Sequence, residues 1–165
     1  QTDPMPRLLL VHHSPTASVA TLTDAVLAGA TDDEIQGVDV AVLPALEARA
    51  EDVLAADGML LGTPANFGYM SGALKHFFDS LFFDIGGSLS DDGSAAGGAP
   101  KGKKPFGLFV HGRYDTTGAV RSVLSITGAL PWRQAAETLT VLGDVTQADE
   151  AAAYELGGTL AALLS

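Results

Sequence analysis

Short apolar runs alternate with helical stripes along almost the whole chain, and that alternation restricts the fold more than any other feature. The runs are Leu8-Leu9-Leu10-Val11-His12, Val38 to Leu43, Gly58 to Gly62, Phe106 to Val110 and Leu139 to Leu142. They are continuously apolar or nearly so, as expected of strands buried on both faces. Between and after them, apolar residues recur at helical spacing. The first stripe is Val19, Leu22, Val26 and Leu27, opening after Ser18. The second is Leu46, Ala50, Val53 and Leu54; the third is Met70, Leu74, Phe77, Phe78 and Leu81. Val120, Val123 and Leu124 face one way on a helix beginning near Asp115. Thr146 followed by Asp149 has the form of a capping box, and Ala152, Leu156, Leu160 and Leu163 then line a last helix. Parallel strands need a crossover, and a helix supplies it, so this order implies a parallel sheet with helices on both faces. The prediction is an α/β doubly wound five-stranded sheet with strand order 2-1-3-4-5.

The 165 residues suit one domain, taken as 5–165, with Gln1 to Pro4 ahead of Met5 read as a non-native remnant outside the fold. Apolar residues at 47% and charged residues at 18% exclude intrinsic disorder. The absence of Cys excludes disulfide scaffolds, Cys-ligated zinc, iron–sulfur clusters and thiol nucleophiles. Nine basic against twenty acidic side chains give a net charge of −11. That balance argues against nucleic acid and against an anionic membrane surface. It suits solubility, or docking to a basic partner. The first apolar run is far too short for a signal core or a span, so a cytoplasmic location is expected. Asp84 to Lys104 is rich in Gly, Ser and Ala and too long for a routine connection. It is expected to be a functional or mobile loop inside the one domain.

In a doubly wound sheet, ligands bind outside the carboxyl ends of the strands, where the strand order reverses. Three segments converge there. Ser14-Pro15-Thr16-Ala17-Ser18 puts three hydroxyls on a turn entering a helix, which suits a phosphate or serves as an ordinary N-cap. Thr63 to Gly72 combines Pro and Gly with Asn66, Phe67 and Tyr69. Such a loop could hold a planar ring, or its aromatics could cap the core. His111 to Asp115 follows the fourth strand.

The run Gly62-Thr63-Pro64 through Phe67-Gly68-Tyr69-Met70-Ser71-Gly72, then Lys75 and Phe77, resembles the second flavin loop of flavodoxin-like FMN-binding proteins. The likeness extends in order and spacing from Leu8 to Leu164. It is nearest to the bacterial NAD(P)H:quinone oxidoreductase branch, of NADPH-dependent FMN reductase type. The resemblance implies FMN as cofactor, with NADH or NADPH as co-substrate. It implies that Ser14, Thr16, Ala17, Ser18 and Val19 hold the FMN phosphate. Pro64, Ala65, Asn66, Phe67, Gly68, Tyr69 and Met70 would contact the ribityl chain and isoalloxazine. His111, Gly112, Arg113 and Tyr114 would line the other edge of the ring, with His111, Arg113 and Tyr114 placed to stabilise an anionic reduced flavin or acceptor. A small-molecule electron acceptor and a homodimer or homotetramer are implied as partners. Two departures stand out: Ala17 occupies a position where such phosphate loops usually carry Gly, and His111 precedes Gly112 instead of following it.

Other motifs carry less. Gly97 to Lys104 approaches a P-loop, but it precedes a strand and lacks the magnesium-binding hydroxyl. Ser71 is one place late for a nucleophile elbow. His12 and His13 point to opposite sides of a strand, so no simple metal site joins them. His76 and Asp79 share a helix face, which suits a surface hydrogen bond. Asp91, Asp92, Lys101, Lys103 and Lys104 flank the long loop as solvated charges, or as part of a lid or subunit contact. A phosphoacceptor receiver domain would need carboxylates where His12-His13 and Thr63-Pro64 stand. A two-electron oxidoreductase, a one-electron carrier and a flavodoxin-like module that has lost FMN remain the competing functions.

Overall fold

The computed structural model describes residues 4–89, 91 and 103–165. The elements run β1 (Arg7–His12), α1 (Ala17–Ala30), β2 (Asp39–Pro44), α2 (Ala50–Ala55), β3 (Gly58–Asn66), β4 (Tyr69–Met70) and α3 (Gly72–Leu81). They continue with β5 (Lys104–Gly112), α4 (Thr117–Thr127), β6 (Trp132–Gln134), β7 (Leu139–Leu142) and α5 (Gln147–Leu164). The sheet order is β2-β1-β3-β5-β6, with β7 also paired to β5 and all of these pairings parallel. With the two-residue β4 set aside and β6 with β7 counted as one edge, this is the expected 2-1-3-4-5 arrangement.

The fifth strand departs from expectation by being broken. β6 pairs with the start of β5, Lys104 opposite Trp132, and β7 pairs with its end, Phe109 opposite Leu139. Gln134 spans the break, its Nε2 donating to the Ala136 carbonyl at 3.0 Å and to Thr138 Oγ1 at 3.1 Å. Trp132 is buried against Phe106, ring centroids 6.0 Å apart, which anchors a piece too short for a periodic signature.

Alternation of side chains across the pleat divides the core into two layers. Leu8, Leu10, Leu60 and Phe109 face α1 and α5, meeting Leu22, Val26, Leu156 and Leu160. Leu9, Val11, Met59, Leu61, Leu108 and Val110 face α3 and α4, meeting Leu74, Phe77, Phe78 and Val123. Each large side chain so buried contributes about 1.5–3 kcal/mol relative to exposure. On α5 the buried face is Ala153, Leu156, Gly157 and Leu160, while Leu163 lies half exposed, contrary to expectation. The reason is close helix packing: a Cβ on Gly157 would lie 1.9 Å from the Val26 carbonyl oxygen, and one on Gly29 would lie 1.8 Å from that of Tyr154. The small face, not the leucine stripe, meets α1. Likewise Leu46 and Leu54 lie outside the core, and α2 buries only Val53. The capping box of α5 forms as expected, with Asp149 N–H donating to Thr146 Oγ1 at 3.2 Å and Thr146 N–H to Asp149 Oδ2 at 2.9 Å.

Among the described residues, no helix is long and apolar enough to cross a membrane. Most of the P-loop-like stretch, with Asp92 and Lys101, lies outside the described residues; Lys104 opens β5, so the motif leads into a strand and not a helix. His76 and Asp79 bond other residues: His76 Nε2 is 3.2 Å from Ser80 Oγ, and Lys75 Nζ donates to Asp79 at 2.6 Å.

Candidate functional site

A cleft of about 780 Å³ opens at the carboxyl ends of β1, β3 and β5. Thr16, Ala17 and Ser18 form one end of its wall, Pro64 to Gly68 a second side, and His111 to Asp115 the third. Its size falls within the range of small-molecule and cofactor sites.

The first wall is a helix start. Thr16, not Ser18, is the N-cap of α1, and its Oγ1 accepts from the Val19 amide at 3.4 Å. The first amides of a helix have no intrahelical partner. Those of Ala17 and Ser18 therefore stand at the cleft with the positive end of the helix behind them. Phe67 is the one non-glycine residue at positive φ among the described residues, so the turn through Ala17 needs no glycine conformation. Ala17 is exposed and its methyl group leaves the turn open. Val19 points away from the cleft and is fully buried. Ser14 precedes this wall by two residues and is not among the residues lining the cleft; its Oγ lies 2.8 Å from His12 Nδ1 and 2.8 Å from Thr23 Oγ1.

The second wall is a hairpin. β3 runs past Pro64 to Asn66 and turns back as β4, Asn66 opposite Tyr69. The two turn residues, Phe67 at φ 51° and Gly68 at φ 77°, both take the left-handed region. Two consecutive positive φ values are those of the tight turn whose twist matches a hairpin. For a bulky aromatic this conformation is rare and strained. Phe67 is fully exposed at the tip. The base of the hairpin is clamped from below. Buried Thr63 Oγ1 donates to the Pro64 carbonyl at 2.8 Å and accepts from the Ser71 amide at 3.0 Å. Ser71 in turn caps α3, accepting from the Leu74 amide at 3.1 Å. Met70 is buried in the core, and Tyr69 lies on the far side of the hairpin over Phe78 and Phe82. The cleft therefore receives Pro64 to Gly68 but not the side chains of Tyr69 and Met70.

The third wall follows β5. His111 is buried and its Nε2 donates to the Gly143 carbonyl at 2.7 Å, tying β5 to the end of β7. Arg113 Nη1 pairs with Asp144 at 3.1 Å, exposed on both sides. Tyr114 is almost wholly exposed. Asp115 accepts from the Thr117 amide at 2.9 Å, which starts α4 and holds its carboxyl below the usual carboxylate range. Gly118 touches the hairpin: a Cβ there would lie 2.0 Å from the Gly68 carbonyl oxygen. Gly118 was not among the expected site residues, and Thr63 and Asp115 were expected only as ends of their segments. Asp115 had a readable signal, an Asp two places before a helix; the role of Gly118 depends on Gly68, fifty residues away, and that of Thr63 on the turn that brings Ser71 back to it.

The arrangement offers anion donors at one end and exposed aromatics at the other, over a parallel sheet of reversing strand order. These are the features of a flavodoxin-like, FMN-binding class of protein. The model of the NADPH-dependent FMN reductase family matches residues 12–141, and the chain belongs to that family. A protein of Aquifex aeolicus named flavodoxin is 34% identical over 92 residues, 56% of this chain and 48% of its own length. The chain thus matches about half the length of that relative. Among solved structures, a flavodoxin from the domain Archaea superposes with a TM-score of 0.75 at 14% identity, covering 96% of this chain and 98% of that one. A Streptococcus pneumoniae flavodoxin gives 0.73 at 21% identity, over 95% and 99% of the two chains. A flavodoxin, WrbA-like protein from Agrobacterium tumefaciens gives 0.65 at 17% identity, over 96% and 97%. These structural likenesses concern the fold.

Proposed function

We propose that the cleft binds FMN and that the protein is an NAD(P)H-dependent oxidoreductase reducing quinones or similar acceptors by two electrons. The observation that carries this reading is the pairing of a free helix N-terminus with an aromatic hairpin tip across one cleft, in a chain of the FMN reductase family. The donor set fits the cofactor. The Ala17 and Ser18 amides and the Thr16 hydroxyl suit a phosphate without any Lys or Arg. The apolar faces of Phe67 and Tyr114 suit a planar ring, with the polypeptide from Pro64 to Asn66 along its length. When bound, the cofactor supplies the hydride chemistry; the protein orients it and shapes access. His111 is assigned a positioning role, because its Nε2 proton is committed to Gly143 and its ring braces the third wall. Arg113, held by Asp144, stands at the open edge as a charge for an entering anionic group. A homodimer or homotetramer is the proposed assembly, and light scattering reads it directly.

The test is a visible spectrum of the protein with added FMN, followed by NADPH or NADH under nitrogen and then a quinone. Bleaching by nucleotide and reoxidation by quinone are expected. A second reading, a one-electron carrier, is favoured by the likeness to the Aquifex aeolicus flavodoxin and by the charge of −11. Stepwise one-electron photoreduction without bleaching by nucleotide would select it. A colourless protein that takes up no FMN would leave a binding module on this frame.

A further inference from the structure

The turn that receives the phosphate in this reading is preceded by a titratable side chain that its amides and hydroxyls do not require. His12 ends β1, half-buried, with Nδ1 2.8 Å from Ser14 Oγ. Ser14 Oγ is in turn 2.8 Å from Thr23 Oγ1, on the buried face of α1. The three groups form an unbranched chain with Ser14, two residues ahead of the Thr16 N-cap, in its middle.

We propose that His12 is a positioning residue for the phosphate of the bound flavin nucleotide: protonated at Nδ1, it turns Ser14 into a donor, so phosphate binding takes up a proton at His12. This rests on the reading that the cleft binds FMN. The argument is a count of protons. The Ser14 hydroxyl has one proton and two lone pairs. When His12 is neutral with its proton on Nε2, Nδ1 is an acceptor and takes the Ser14 proton. Thr23 then donates to Ser14, and Ser14 offers an incoming phosphate only a lone pair. When Nδ1 carries a proton, in the imidazolium or in the neutral Nδ1–H tautomer, it donates to Ser14 Oγ, Thr23 fills the other lone pair, and the Ser14 proton is free for an anionic oxygen. Of these two forms the phosphate dianion favours the imidazolium, whose charge adds to the attraction, and that preference is what takes up a proton.

The surroundings keep the two states apart. Burial, and the neighbouring His13, hold His12 below the usual imidazole value, while Asp24 on α1 opposes them. β2 and β3 place uncharged Pro44 and Gly62 beside it in the sheet. In the free protein His12 is therefore neutral at pH 7. A phosphate dianion at the start of α1 acts in the opposite direction and favours the imidazolium. Between the free and the bound pKa of His12, binding consumes a proton and affinity falls as pH rises.

The experiment compares FMN with riboflavin, which lacks the phosphate, by fluorescence titration from about pH 6.5 to 8.5, where the FMN phosphate is a dianion. The heat of FMN binding is also measured at one pH in two buffers of different ionisation enthalpy. For the wild type, the FMN dissociation constant is expected to rise by up to about tenfold per pH unit within the window, with riboflavin flat. The buffer-dependent heat should report proton uptake with FMN and none with riboflavin. His12→Asn keeps an amide donor toward Ser14 but cannot titrate; it should bind FMN without pH dependence or proton uptake. His12→Phe should weaken FMN roughly tenfold at the acid end, the cost of about one hydrogen bond, and leave riboflavin unchanged. FMN binding by the wild type with no pH slope and no proton uptake overturns the proposal and leaves the FMN reading intact. Retention of the slope in His12→Asn overturns it as well. A wild type that binds neither flavin at any pH overturns both. The two-buffer measurement on the wild type decides the matter even if a variant fails to fold.

Discussion

Gly118→Ala is the sharpest test of how the cleft is held together. Gly118 is the second residue of α4, and the added Cβ would lie 2.0 Å from the Gly68 carbonyl oxygen. A carbon and a carbonyl oxygen in contact sit about 3.3 Å apart, so the hairpin must retreat by about 1.3 Å. The obstructing atom is backbone, and no side-chain rotation relieves the clash. Two effects on stability oppose each other. Ala is favoured over Gly within a helix by about 1 kcal/mol. Overpacking costs about 1–3 kcal/mol. The net loss is thus about 0–2 kcal/mol, and the melting temperature falls by about 2–4 °C for each kcal/mol lost. The cleft is more sensitive than the fold, because a displacement near 1 Å of a positioning wall can cost about 10²-fold in rate. The expected result is a folded protein whose FMN affinity is at least about tenfold weaker, in line with that displacement. Flavin fluorescence quenching and a thermal melt measure the two effects separately. Gly72→Ala is the control, since the new Cβ at the start of α3 meets nothing within 4 Å. A Gly118→Ala protein that binds FMN as the wild type does, or melts higher, would refute the claim that this contact sets the hairpin's position.

Three further outcomes are expected. Phe67→Gly should stabilise the protein by up to about 1–2 kcal/mol, because the strained left-handed conformation is relieved and no buried surface is lost; it should also weaken FMN binding, and calorimetry with a flavin titration reads the opposite signs. Gly157→Ala should destabilise by about 1–3 kcal/mol or more, because its Cβ would meet the Val26 carbonyl oxygen at 1.9 Å and force α5 off α1; urea unfolding measures it, and no direct effect on the cleft is expected. His111→Ala should cost about 1–3 kcal/mol by leaving the Gly143 carbonyl without its donor, and turnover should change through the third wall's position, with the loss appearing in stability and in NAD(P)H oxidation together.

Much of the fold was legible because burial on both faces leaves a continuous apolar run. Leu8 to Val11 and Phe106 to Val110 show it plainly, and both are central strands. The edge was harder. Trp132-Arg133-Gln134 has one apolar residue and no period, so β6 is visible only through its pairing with Lys104 to Phe106. The α5 stripe misled at Leu163 because hydrophobicity marks what can be buried, whereas Gly29 and Gly157 decide which face comes closest. At the site, Thr16 to Ser18, Pro64 to Gly68 and His111 to Tyr114 line the cleft. Ser14, Val19, Tyr69 and Met70, also expected there, are not among the lining residues. The direction of a loop side chain depends on backbone angles that local composition leaves open.

The order of apolar runs and helical stripes by itself determined the layered parallel sheet. It also determined which three loops meet at the carboxyl ends of its strands, because a strand's end and its crossover are consecutive in the chain. Tertiary structure alone decided what those loops present. It bent β3 into a hairpin with Phe67 held at a strained tip, set Gly118 beneath Gly68, and joined His111 to Gly143. It also aligned His12, Ser14 and Thr23 into one proton-bearing chain. Such contacts rest on distances of a few ångströms between segments that are remote in sequence or turned by irregular backbone, and periodicity carries no information about either.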